Sequence, residues 1–155
     1  MTSEDLIAHA RSFLHVRETG PNVGEPEILG WQTRLGCEPG DSYCACFTCC
    51  MVRDIDPGNP LKLSASALHL YSNNPALQIK SLDDLQPGDI VVWDHGSGKG
   101  HVAIATATTK VMGKLLYFSA IAGNTSADGK SANGDRVAEH DVPLDRLVGA
   151  LRVCN

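Results

Sequence analysis

Apolar positions recur at helical spacing through the first third of the chain and alternate along its last third. Leu6, Ile7, Ala10, Phe13 and Leu14 share one face of a helix predicted from about Ser3 to Val16. Thr2 or Ser3 suits its cap, and Glu4 and Asp5 suit its positive end. Gly20-Pro21-Asn22 then breaks the chain. Ile28, Trp31 and Leu35 form the stripe of a second helix, from about Pro26 to Leu35, with Pro26 in its first turn and Gly36 at its end. A third helix opens at Cys44, behind Asp41 or Ser42 as cap, and runs to about Met51 or Val52. Ser64 to Tyr71 reads as a fourth, short one.

From Leu82 onward the period falls to two. Gln86-Pro87-Gly88-Asp89 is a turn, and strands are predicted at Ile90–Trp93, His101–Thr109, Lys114–Ile121, Arg136–His140 and Leu147–Val153. Helices first and strands afterwards predict an α+β fold, with N-terminal helices packed on a small antiparallel sheet. A hairpin turn at Met112-Gly113 sets Val111 opposite Lys114. Carried along the ladder, that register sets His101 opposite Asn124, with Ala103, Ala105, Ala120 and Ala122 on the same face. This nearly all-alanine face is expected to receive the Cys44 helix, its N-terminus at the His101 end.

With 155 residues the chain reads as one domain over 1–155, long enough to bury a conventional core. A net charge of -5 and the lack of any basic run exclude nucleic acid as the main partner. No apolar run reaches transmembrane length, and Met1-Thr2-Ser3-Glu4-Asp5 opens no export signal. The expectation is a monomer made in the cytoplasm, without membrane insertion.

Chemistry concentrates at a few positions. A thiol at a helix N-terminus, near an imidazole, loses its proton readily and becomes a nucleophile, which singles out Cys44. His101 begins an apolar strand, where its ring can be held in place to act as base. His95 lies among Asp94, Gly96, Ser97 and Gly98, the setting of a solvated loop histidine. Asn124 either orients the His101 ring or turns the chain within Gly123-Asn124-Thr125-Ser126. Cys46, Cys49 and Cys50 read as packing residues. Cys-x-Cys-x-x-Cys-Cys lacks the second CxxC pair of a zinc site. Asp128, Asn133 and Asp135 lack the EF-hand pattern and read as solvated turn residues. No metal or cofactor is expected, and His9, His15, His69 and His140 are given no role.

Several blocks, in order, resemble a known family. Arg17-Glu18-Thr19-Gly20-Pro21-Asn22, Pro26-Glu27-Ile28 and Trp31 come first, then Tyr43-Cys44-Ala45-Cys46-Phe47. Pro87-Gly88-Asp89-Ile90-Val91-Val92-Trp93, Gly100-His101-Val102-Ala103-Ile104 and Gly123-Asn124-Thr125 follow. Together they are similar to the CHAP and NlpC/P60 type of cysteine amidohydrolases and peptidases. The resemblance implies a papain-like core with Cys44 as nucleophile, His101 as base and Asn124 as polar third residue. It implies an amidase or endopeptidase acting on bacterial peptidoglycan, as a phage endolysin or as an injected antibacterial effector with an immunity protein for partner. Glu27, Trp31, Tyr43 and Trp93 are the residues expected to line its substrate groove. The chain departs from the pattern at Ala122, where many relatives carry an acidic residue, and at Tyr43 and Cys46, where tryptophan and alanine are common. The family's acidic calcium loop before the cysteine is not evident. Two alternatives stand beside this reading: a papain-like thiol hydrolase with a non-wall substrate, and a metal or redox module built on the cysteine cluster.

Overall fold

The computed structural model describes residues 1–24, 26–125, 134–142 and 144–155. Among them are four α-helices followed by a five-stranded antiparallel sheet: α1 (Ser3–Arg11), α2 (Glu27–Arg34), α3 (Cys44–Ile55), α4 (Ala67–Ser72), β1 (Ile90–Gly96), β2 (Lys99–Val111), β3 (Lys114–Thr125), β4 (Arg136–Val142) and β5 (Leu147–Leu151). The fold is α+β, and the strands lie in the order β4-β3-β2-β1-β5. No helix among the described residues is long and apolar enough to cross a membrane.

Local chemistry sets the helix ends. Thr2 caps α1 by accepting from the Asp5 N–H at 3.1 Å. The helix stops at Arg11 rather than Val16. The Ser12 hydroxyl donates to the His9 carbonyl at 2.6 Å, and the next N–H groups bond three residues back: Phe13 to Ala10, Leu14 to Arg11, Val16 to Phe13. A serine competing for its own turn tightens the backbone in this way. At the end of α2, Gly36 takes a φ of +74° and the Cys37 N–H returns to the Gln32 carbonyl at 2.8 Å, the Schellman arrangement that favours glycine.

The third helix is the centre of the molecule. Every residue from Cys44 to Val52 is buried. A helix apolar around its whole circumference must be enclosed. α1 and α2 cover it on one side and strands β2 and β3 on the other. It runs three residues beyond the expected end, to Ile55. Neither Asp41 nor Ser42 caps it. The N-cap is Tyr43, which makes no capping bond, while the Asp41 carboxylate turns back to the Glu38 N–H at 2.9 Å.

The hairpin follows the expected turn, with Met112 and Gly113 both at positive φ and Val111 opposite Lys114. Two irregularities, between Thr109 and Lys110 and between Ala105 and Ala107, offset and then restore the register, so Ile104 faces Ile121. The faces, however, are the reverse of those expected. Ile90, Val92, Val102, Ile104 and Ile121 cluster with α3. Ala103, Ala105, Ala120 and Ala122 lie on the other side with Val91, Trp93, Phe118, Leu85 and Val142. Branched side chains fill the space beside the helix. The alanines instead leave room for large rings laid over their own sheet, with Trp93 stacked on Phe118 at a centroid distance of 5.9 Å.

Asp89 fastens the start of β1 to the segment after β5. Its carboxylate accepts Arg152 Nε at 3.1 Å and Nη2 at 2.9 Å, and also the Gln86 N–H at 2.9 Å. The Asp89 side chain is only 2% exposed, whereas the Lys114–Asp83 pair is 80% and 34% exposed. Asp89→Ala is therefore expected to lower the unfolding free energy by about 2–3 kcal/mol, because it removes a buried carboxylate's bonds to the Arg152 guanidinium and the Gln86 N–H. Lys114→Ala should cost about 0.5 kcal/mol or less. Urea unfolding of both variants checks the contrast.

Candidate active site

Cys44 opens α3 at the point where strands β2 and β3 part. The backbone N–H of Ala105 bonds toward Asp89 on the β1 side, so alternation points the N–H of Val102 toward β3. The β2–β3 pairing begins only at Ile104–Ile121. At Asn124 the backbone turns to a φ of +53°, and the β3–β4 register shifts between Ala122 and Thr125. The Val102 N–H, on the β3 side of β2 in this split, acts on the Cys44 thiol. Burial pushes the thiol pKa up. The backbone N–H groups of Val102 and Ala45, the Ser42 hydroxyl and the Cys44 N–H all act to lower it. Cys44 as a residue is 5% exposed.

Gly123 permits the close approach of α3. A Cβ there would stand 2.9 Å from Phe47 Cβ and 3.0 Å from the Tyr43 ring. The small residue that admits the helix tip is thus a glycine on the α3 face, not the alanine stripe.

Asn124, 1% exposed, donates from Nδ2 to the Ser42 hydroxyl at 2.7 Å, and its Oδ1 has no hydrogen-bond partner among the described residues. It does not hydrogen-bond His101. Asn124 bonds instead to Ser42, whose hydroxyl acts to lower the pKa of the Cys44 thiol. Ser42, considered from sequence only as a helix cap, is a member of the site. Glu18 is another residue that sequence reasoning passed over, although it sits in the Arg17–Asn22 block. Its carboxylate lies near the buried Tyr43 hydroxyl, and burial followed by Glu18 raises the tyrosine pKa. Among the described residues Glu18 Oε1 has no hydrogen-bond partner.

His101 lies on the face away from α3, in register with Ala103 and Ala105 and directly across from Trp93. Its ring is 5.8 Å from the Trp93 ring and 6.4 Å from that of His95, centroid to centroid. The side chain is nearly buried, and Nδ1 has no hydrogen-bond partner among the described residues. Burial, with smaller contributions from His95 and His140, pushes its pKa down to about 3. The structure therefore places thiol and imidazole at successive backbone positions of one strand end, without a hydrogen bond between them. Burial favours the protonated thiol and the neutral imidazole.

The groove residues expected from sequence are mostly interior. Trp31 packs among Phe13, Tyr43 and Phe47 at centroid distances of 5.4, 6.1 and 5.0 Å. Tyr43 is fully buried and Trp93 is 4% exposed. Large rings buried in this way hold α2 and the sheet to the core. Glu27 lies at the start of α2, its Oε1 3.6 Å from His15 Nε2. His95 belongs to β1 rather than to a loop. Among the described residues no three of His, Cys, Asp and Glu converge as a metal cluster. Asp128 and Asn133 lie outside the described residues, and Asp135 pairs with Arg136 at 2.8 Å.

Comparison with protein-family models, with curated proteins and with solved structures gives no match.

The buried imidazole has a consequence for stability. Between its folded pKa of about 3 and its unfolded value of 6.5, the unfolded chain binds the extra proton. This contribution rises with pH across the window and is lost as pH falls from 6.5 toward 3. Wild type should lose about 2 kcal/mol of stability from this residue between pH 7 and pH 5. His101→Phe should show a correspondingly shallower decline by urea unfolding at the two pH values. Equal declines would remove the buried neutral histidine from the account.

Proposed function

We propose that the chain is a cysteine-dependent hydrolase of the papain-like, CHAP and NlpC/P60 kind, cleaving an amide bond in bacterial peptidoglycan. The observation that carries this reading is the setting of the Cys44 sulfur. It stands at the tip of a buried helix, where the N–H groups of Val102, Ala45 and Cys44 and the Ser42 hydroxyl act as donors that lower its pKa, and Val102 is next in sequence to a buried histidine whose Nδ1 has no partner among the described residues. A structural thiol needs no such ring of donors. A nucleophile does, because the donors favour the thiolate as it forms.

On this reading His101 turns Nδ1 toward the sulfur through the open end between β2 and β3 and takes its proton. The thiolate adds to the amide carbonyl. The N–H groups at the α3 N-terminus receive the oxyanion. His101 then protonates the leaving amine, and water clears the thioester. Asn124 acts through Ser42, fixing the hydroxyl that faces the sulfur, so its contribution is positional. The substrate class, a wall peptide or the muramoyl–alanine link, comes from the motif resemblance, as do the roles of phage endolysin or injected effector.

Lysis of purified sacculi tests the proposal. Cys44→Ala should abolish turnover, by about 10³-fold or more, with an unchanged circular dichroism spectrum. His101→Ala should lose far more activity than His95→Ala, and Asn124→Ala less than either. Undiminished lysis by Cys44→Ala would end the hydrolase reading. Selective loss in His95→Ala would transfer the role of base to that residue.

A further inference from the structure

Two thiols outside the catalytic trio stand together. Cys37 Sγ lies 3.5 Å from Cys46 Sγ. Neither position is accidental in its backbone. Cys37 is fixed by the Schellman turn behind α2, through its N–H bond to Gln32 and the positive φ of Gly36. Cys46 is fixed in the first turn of α3, fully buried. The segment between them carries Ser42, Tyr43 and Cys44.

We propose that Cys37 and Cys46 form an intramolecular disulfide in oxidising surroundings, stapling the end of α2 to the first turn of α3 and leaving Cys44 as a free thiol. The oxidant is a small-molecule disulfide. Cys37, half-buried where Cys46 is sealed, gives up its proton and attacks one sulfur, releasing one thiol and forming a mixed disulfide. Cys46 loses its proton and displaces the second thiol as the Cys37–Cys46 bond forms. Two electrons pass to the oxidant, and two protons leave with the two released thiols. The sulfurs need close by only about 1.5 Å to reach bonding distance. No other pair of cysteines among the described residues shows such a contact. The Cys49 and Cys154 thiols instead point at the carbonyls of Ser64 and Gly88.

This proposal does not depend on the hydrolase reading, and its test uses no activity. The purified full chain is incubated with glutathione disulfide, its remaining thiols are alkylated after unfolding, and its peptides are mapped by mass spectrometry. The expected result is a mass two hydrogens lower, one linked Cys37–Cys46 peptide, and alkylated Cys44. The Tm should rise by roughly 5–10 °C on oxidation, because a short loop is closed in the unfolded state. The rise should vanish in Cys37→Ser. A persistent glutathione adduct on Cys37, a bond to any other cysteine, or a pair that stays reduced would overturn the proposal. The mass map of the wild-type chain decides the matter even if the variant folds poorly.

Discussion

Everything in this fold follows from enclosing one helix. From Cys44 to Val52, α3 offers no face to water. Its burial requires helices on one side and branched strand residues on the other, and it requires Gly123 where its first turn meets β3. The hydrophobic term for nine consecutive buried residues outweighs any local preference at the helix ends. That explains why α3 starts without a side-chain cap. Its position is set by what surrounds it rather than by Asp41 or Ser42, whose side chains bond elsewhere.

The same enclosure shapes the chemistry of the sulfur. Because Cys44 is the first residue of the enclosed helix, its thiol is delivered into the split where Asn124 leaves the strand conformation. Burial holds the proton on, and the donors of Val102, Ala45 and Ser42 work against burial. Among the described residues, Glu18 Oε1, Asn124 Oδ1 and His101 Nδ1 are buried without hydrogen-bond partners. Each such atom costs on the order of 1–3 kcal/mol if it stays unpaired. A fold concentrates such costs where it needs reactive groups more than stability. Thiol and imidazole lie on opposite sides of one strand end, a separation that the proposed proton transfer has to close.

The hairpin and the faces show how far pattern alone reaches. Met112-Gly113 specified its turn, and with it the pairing of Val111 with Lys114, because two successive residues at positive φ leave few alternatives. The alternation that groups Ala103, Ala105, Ala120 and Ala122 was equally legible. Which neighbour covers that face was not. A stripe of alanines accepts either a close helix or the rings of Trp93 and Phe118, and the choice depends on the volume of residues remote in sequence. His101 follows the alanines by register, so reversing the faces moved the imidazole away from α3 and Asn124 onto Ser42.

The sequence by itself determined the order of helices and strands, the hairpin register, and Cys44 as the first residue of a helix. These rest on period, turn chemistry and chain-local sterics, which act over a few residues. Tertiary structure alone decided which side of the sheet holds α3, that Trp31, Tyr43 and Trp93 are interior, that Asn124 bonds Ser42, and that Cys37 meets Cys46. Those outcomes depend on close packing between distant segments, where the volume and shape of every neighbour enter at once.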